Sequence, residues 1–207
     1  MGQPSDKSTG TRQLVLATRN DHKRREFAGL LDGWEILALP DDVTLPPEDG
    51  ETFAANAMGK ARAAAEATGI AAIADDSGIE ARALGGAPGV RSARYAGENA
   101  ADDDNLEKLM REVGATDDAA VEYVCAVAFV DPGQPAVEKI FEGRCAGILI
   151  DERRGAGGFG YDPAVVPDDY DDGRTMAELT QAEKDAISHR GRAVRDLARW
   201  LSEAAPD

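Results

Sequence analysis

Apolar runs and polar turns alternate along this chain in a strand–helix rhythm. Residues 14–17 (Leu14-Val15-Leu16-Ala17) form a short apolar run that passes into the polar stretch Thr18-Arg19-Asn20-Asp21-His22-Lys23. Over 24–31, Phe27, Leu30 and Leu31 then fall at helical spacing. A strand, a polar turn and a helix in succession present free backbone N–H groups and a positive dipole end to an anion. Thr18 and Asn20 add side-chain donors there and Lys23 a point charge. A cap on an ordinary surface helix accounts for the same residues, and the glycines of a Walker A loop are missing.

A second strand is predicted over 34–39, followed by a loop rich in Pro and acid (40–50) that contains Glu48 and Asp49. An alanine-rich helix over 51–68 is closed by Gly69 at C′. Asn56 and Lys60 lie four apart on one face of it, a pair that a solvated face would explain. The run 70–74 then ends in Asp75-Asp76-Ser77-Gly78, which reads as a buried strand opening into a turn. Two adjacent acids at the carboxyl end of a strand can hold a hard divalent cation or act as a base toward water. The competing reading is an Asx-turn with Gly78 at positive φ.

Residues 79–84 alternate like a further strand before the glycine-rich loop Gly85-Gly86-Ala87-Pro88-Gly89. A helix is expected over 99–113, with Leu106, Leu109, Met110 and Val113 as its apolar side. Runs 121–130 and 136–150 flank the turn Asp131-Pro132-Gly133, and their hairpin spacing implies antiparallel pairing and hence a mixed sheet. In Gly157-Gly158-Phe159-Gly160-Tyr161-Asp162-Pro163, glycines flank a lone aromatic, so a flat base could stack there; Phe159 tucked into the core is the alternative. Thr180-Gln181-Ala182-Glu183 is a capping box that starts a helix. Lys184, His189 and Arg190 gather donors in one neighbourhood, and Val194, Leu197, Ala198 and Leu201 mark a final amphipathic helix.

Composition narrows the functional classes. The 207 residues carry a net charge of −16, which argues against sequence-independent nucleic-acid binding. A single nucleotide remains compatible, provided the cations and N–H donors collect at one place. No apolar run approaches the roughly 20 residues of a membrane span, and residues 1–12 lack the apolar centre of a signal peptide. A cytoplasmic protein with a disordered leader over 1–12 and one large domain, or one domain in two lobes, over 13–207 is therefore expected. Cys125 and Cys145 sit in apolar segments and read as buried free thiols.

Taken in order, these motifs carry a resemblance. Thr18-x-Asn20-x-x-Lys23, Ala74-Asp75-Asp76-Ser77-Gly78, Leu84-Gly85-Gly86-Ala87-Pro88-Gly89, Ser92-Ala93-Arg94-Tyr95, Gly158-Phe159-Gly160-Tyr161-Asp162-Pro163 and Glu183-Lys184-x-x-x-Ser188-His189-Arg190 follow one another along the chain. With them the chain resembles the inosine triphosphate pyrophosphatase family over residues 13 to about 201. The resemblance implies an α/β fold: a long mixed β-sheet flanked by helices, in two lobes with the nucleotide cleft between them. It also implies a homodimer that hydrolyses ITP, dITP and XTP to the monophosphate and pyrophosphate with Mg²⁺.

Residue by residue, Asp76 matches the family's essential acid, proton acceptor and metal ligand, and Glu48 a second metal-binding carboxylate. Thr18, Arg19, Asn20, Asp21, His22 and Lys23 match the phosphate-binding turn, with Lys60 an addition from the alanine-rich helix, and Ser77 a substrate contact. Phe159, Gly160, Tyr161, Asp162, Lys184, His189 and Arg190 match the base pocket. Two positions depart from the pattern: Ala55 stands where many relatives carry Glu, and Arg19 where a small or polar residue is common. If His189 and Arg190 direct N–H groups at the C6 position, a C6 carbonyl is accepted. An amino group there is rejected by about 10⁴-fold or more. Two other readings compete: a pyrophosphatase for other modified or pyrimidine nucleotides, and a nucleotide sensor without hydrolysis.

Overall fold

The computed structural model describes residues 12–133 and 136–204; most of the expected leader and the last three residues lie outside them. A six-stranded mixed sheet in the order β2-β1-β3-β4-β5-β6 organises the chain. Its strands are β1 (Arg12–Leu16), β2 (Trp34–Ala38), β3 (Ala72–Ala81), β4 (Ala120–Asp131), β5 (Val137–Leu149) and β6 (Val165–Pro167). β1 runs parallel to β2 and β3, and the remaining neighbours are antiparallel, which realises the mixed sheet read from the hairpin spacing. The helices are α1 (Asp21–Leu30), α2 (Phe53–Thr68), α3 (Asp102–Val113), α4 (Gln181–Ile187) and α5 (His189–Ala204). Among the described residues no helix is long and apolar enough to cross a membrane.

Helix ends follow the local chemistry. Asn20 caps α1 by accepting from the backbone N–H of His22 and Lys23, so α1 starts at Asp21, three residues earlier than the apolar spacing indicated. Thr52 caps α2, and Gly69, at φ 68°, closes it in the left-handed region that glycine adopts without strain. Thr180 and Glu183 form the expected reciprocal capping box of α4.

One expectation is corrected. The strand does not end at Ala74; β3 continues through Asp75, Asp76, Ser77 and Gly78 to Ala81, paired throughout with β4. What ends is its other neighbour, because β1 pairs with β3 only at Val15↔Ala72 and Leu16↔Ile73. From Ala74 to Ile79 β3 has no strand partner on that edge, and the polar quartet sits there, before Glu80 bridges to Pro88. No turn forms, and Gly78 does not adopt positive φ. Gly78 is small for another reason: a Cβ there would lie 2.4 Å from Ser92 Oγ and 2.6 Å from the Gly89 carbonyl oxygen. The predicted strand over 79–84 is the end of β3 followed by a 3₁₀ turn, Arg82–Leu84.

Side chains of β3 alternate between two faces. Ala74 joins Ala126 and Ala128 beneath α2, whose Ala57, Ala61, Ala64 and Ala65 allow the helix to lie close on the sheet. On the opposite face, Ile73, Cys125 and Val127 pack with α1 and α5. Farther along, Ile79, Ala81 and Tyr123 pack with Leu106 and Leu109 of α3. Asp75 and Ser77 fall between those two apolar clusters on the same face. Asp76 faces the other way, toward α2.

Candidate active site

A cleft of roughly 400 Å³ opens at the carboxyl end of β1, within the size range of small-molecule sites. It is lined by Thr18, Arg19, Asn20, Lys23, Glu48, Lys60, Asp76, Ser77, Phe159, Gly160, Tyr161, Asp162, Lys184, His189 and Arg190, among others. Of the predicted site residues, only Asp21 and His22 do not line it. Asp21 is exposed and pairs with Arg24 at 3.1 Å. His22 stands at the rim, its ring centroid 5.4 Å from that of Phe159.

On the α2 side, Asp76 is buried and accepts from Asn56 Nδ2 at 2.8 Å and from the Ser77 backbone N–H at 3.1 Å. Lys60 Nζ is ion-paired to Glu48 and donates to the Asp75 carbonyl oxygen at 2.7 Å. Asn56 and Lys60 are therefore buried site residues rather than a solvated face. Burial works to discharge Lys60, but Asp75, Glu48 and Asp76 outweigh it and keep the ammonium protonated. For Asp76 the balance runs the other way. Burial raises its pKa, neighbouring Glu48 adds to the rise, and Lys60 and Asn56 offset only part of it.

On the opposite face, Asp75 is fully buried and accepts from Arg190 Nε at 3.1 Å and Nη2 at 3.0 Å. Lys23 Nζ is 3.1 Å from the same oxygen. Burial alone would raise the Asp75 pKa; Lys23, Arg190 and Lys60 overcome it and hold the carboxyl well below the usual range. Asp75 thus anchors the cations rather than shaping a turn. Arg190 also reaches Ser77 Oγ at 2.9 Å and pairs with Glu26, which in turn meets Lys184 at 3.2 Å. Most of the N–H groups of Arg190 are consequently engaged within the protein.

The loop expected to form a base pocket is held from below. Asp162, buried, accepts from Tyr123 Oη at 3.0 Å, from the Phe159 backbone N–H at 2.9 Å and from Lys184 Nζ at 2.8 Å. Tyr161 Oη donates to the Ser92 carbonyl at 2.7 Å, and Gly160 N–H to Asp102 at 3.1 Å. Phe159 is half-buried, with Lys184 Nζ 5.1 Å and the Arg190 guanidinium carbon 5.8 Å from its ring centroid. His189 stacks on Tyr123 at 4.9 Å and 12°. Burial, then Arg190 and Lys184, lower its pKa well below the ordinary value, so its imidazole is neutral. Its buried Nδ1 meets no partner among the described residues. Such a group points to a ligand or water as its complement.

Glu26, Asn56 and Tyr123 belong to this site, yet sequence reasoning assigns none of them a role in it. Asp75, read from the sequence as one of two adjacent acids or as a turn former, is instead the anchor of the cations. Glu26 left a readable signal. Lys23, Glu26, Phe27 and Leu30 follow an i, i+3, i+4, i+7 pattern, which puts two charges on the core stripe of α1.

Glu48 and Asp76 are the residues to test against a divalent ion. Both line the cleft, and the rise in the Asp76 pKa caused in part by Glu48 marks two carboxylates close enough to repel. An ion between them would turn that repulsion into attraction. Two carboxylates suit a hard ion that keeps several other oxygen ligands, as Mg²⁺ does. Among the described residues no cluster of three acidic, His or Cys side chains offers a closed site.

Comparison with known proteins agrees with this geometry. The sequence profile of the Ham1 family matches residues 14–200. The chain is 45% identical over 201 residues to a dITP/XTP pyrophosphatase of Desulfotalea psychrophila, covering 92% of this chain and 88% of that protein. It is 46% identical to a dITP/XTP pyrophosphatase of Geobacter sulfurreducens, with 88% and 92% covered. A HAM1 protein from Coxiella burnetii superimposes with a TM-score of 0.83 at 41% identity, over 93% of this chain and 99% of that one.

Proposed function

The chain belongs to the Ham1 family, and from that premise we propose that it is a nucleoside triphosphate pyrophosphatase acting on aberrant purine nucleotides. ITP, dITP and XTP are hydrolysed to the monophosphate and pyrophosphate, which removes them from the nucleotide pool. The observation that carries the reading is one cleft that joins Lys23 and Lys60, the carboxylates Glu48 and Asp76, and the half-buried ring of Phe159. These match three parts of a nucleotide: phosphates, the reacting centre and the base.

Cleavage between the α- and β-phosphates needs charge neutralisation more than covalent help. Lys23 and Lys60 supply fixed positive charge, and the side-chain N–H₂ of Asn20 and hydroxyl of Thr18 supply donors at the start of α1. Glu48 and Asp76 would hold Mg²⁺, which supplies further neutralising charge when bound. Asp76, with its raised pKa, is the group suited to take a proton from the attacking water. Ser77 Oγ is engaged by Arg190 and serves as a substrate contact rather than a nucleophile.

At the base end, Lys184 remains charged: burial opposes this, and Asp162 and Glu26 overcome it. Lys184 and Arg190 beside Phe159 favour a carbonyl-edged purine over an amino-edged one, and neutral His189 supplies the hydrogen-bonding position. The protein acts as a homodimer without nucleic acid or membrane partners. The test is a panel of ITP, dITP, XTP, GTP, ATP, dTTP and UTP with Mg²⁺, scoring pyrophosphate against phosphate. Pyrophosphate released selectively from ITP, dITP and XTP is expected. Phosphate as product, or preference for a pyrimidine, would overturn the reading.

A further inference from the structure

Arg19 lines the cleft beside the phosphate turn, and its guanidinium is engaged by the segment 39–43. Nη1 donates to the Leu39 carbonyl at 3.0 Å and to Asp41 Oδ1 at 3.3 Å. Nη2 donates to the carbonyls of Pro40 at 2.8 Å, Val43 at 3.1 Å and Asp41 at 3.3 Å. Four backbone carbonyls of one short segment thus converge on a single cation. That segment begins the loop that connects β2 to α2 and carries Glu48.

The far half of the loop has its own ties. Arg94 Nη2 donates to the Glu48 carbonyl at 2.8 Å, Lys60 pairs with the Glu48 side chain, and the Gly50 N–H donates to Asn56 Oδ1 at 2.8 Å. Among the described residues, no side chain other than Arg19 donates to residues 39–43, and the turn is closed only by Val43 N–H to the Pro40 carbonyl at 3.1 Å. The carbonyls need the planar fork of a guanidinium, since a lysine ammonium cannot reach acceptors spread so widely.

We propose that Arg19 is a positioning residue, a surface cation that pins the first half of this loop to the phosphate turn and thereby sets where Glu48 stands. The inference rests on the reading of the cleft as a triphosphate site. It assigns Arg19 to the loop and not to the phosphates. Coupling runs through the chain: the residue next to the phosphate donors Thr18 and Asn20 also fixes the segment that delivers a carboxylate to the opposite wall.

The experiment compares wild type, Arg19→Ala and Arg19→Lys by amide hydrogen exchange without nucleotide, and by ITP turnover across a Mg²⁺ titration. Loss of the clamp should release the Val43 amide by tenfold or more, on the order of a local opening, with β3 and α2 amides unchanged. Turnover should fall and the Mg²⁺ requirement rise by roughly 10- to 100-fold, as for other residues that orient metal ligands, with KM for ITP nearly constant. Arg19→Lys should stay close to Arg19→Ala. A raised KM with an unchanged Mg²⁺ requirement and unchanged Val43 exchange would make Arg19 a phosphate contact and overturn the proposal. No change in any readout would overturn it as well. If wild type releases no pyrophosphate, the functional reading fails while the Val43 exchange still decides the clamp.

Discussion

Asp75→Asn isolates the buried charge cluster from the chemistry. The substitution keeps the side chain's shape and removes one negative charge from beneath Lys23 and Arg190, whose nitrogens lie 3.0–3.1 Å from Oδ2. Asp75 Oδ1 has no hydrogen-bond partner among the described residues, so an amide nitrogen placed there finds no acceptor in them. Leaving a buried charge uncompensated costs about 3–5 kcal/mol. At about 2–4 °C per kcal/mol for a chain of this size, the melting temperature should fall by roughly 6–20 °C. The sign with pH is fixed by the depressed pKa of Asp75. Its stabilisation is fully present above the unfolded value of about 3.9 and is lost as pH falls below it toward the lower folded value. Urea unfolding followed by the fluorescence of Trp200, which packs against Phe129 and Phe141, measures both effects. The variant should be less stable at pH 7 and show a flatter acid limb between pH 4 and 2. A loss below about 1 kcal/mol at pH 7, or an acid limb identical to wild type, would refute the assignment of Asp75 as the anchor.

Asp76→Asn should move stability in the opposite direction. An acid whose folded pKa is raised costs stability when ionised above that pKa, so neutralising it should stabilise the protein at pH 7 by about 0.5–2 kcal/mol while abolishing turnover. A melting temperature at or below that of wild type would contradict this. Gly158→Ala tests the base loop: Gly158 has φ 69°, and a Cβ would fall 2.0 Å from Asp162 Oδ2. The strain, about 1–3 kcal/mol, should displace Asp162 and raise KM for ITP. An unchanged KM would show that the loop conformation is not needed for binding.

How legible the site was depended on where its signals lay along the chain. Local patterns read correctly: the capping box at Thr180, the Gly69 helix end and the apolar stripe of α5 all depend on neighbours within a turn. The polar quartet at 75–78 is legible as a site but not as a strand, because its access to the cleft comes from β1 ending beside β3, a fact about a partner strand. The division between Asp75 and Asp76 follows from strand alternation, visible only once β3 is known to continue. Periodicity alone makes Asn56 and Lys60 a solvated pair, because nothing in α2 announces the two acids they meet, and only the family resemblance brings Lys60 to the site. Glu26, 158 and 164 residues from its partners Lys184 and Arg190, could be suspected only from its place on an apolar stripe.

The two faces of β3 differ in their charge balance, and that difference bears on the divalent ion. On the base side, Lys23, Arg190 and Lys184 alternate with Asp75, Glu26 and Asp162, so cations and carboxylates match one for one. That end is rigid and close to neutral, and suits an uncharged base. On the α2 side, the single cation Lys60 faces Glu48 and Asp76, which leaves the wall net negative where the phosphates must lie. A polyphosphate brought there meets repulsion that Lys60 cannot offset alone, since Lys23 is already paired with Asp75. Under the proposed function, an added divalent cation would be needed for binding as well as for the reaction. Chelating divalent ions should abolish turnover and also weaken ITP binding, by about tenfold or more for each 1.4 kcal/mol of repulsion restored, whereas binding of inosine should be unaffected. Equilibrium titration of ITP and inosine into the protein, with and without a chelator, measures this difference. Equal ITP affinity under both conditions would show that the wall's charge is already balanced by the protein, and would remove the electrostatic case for the ion.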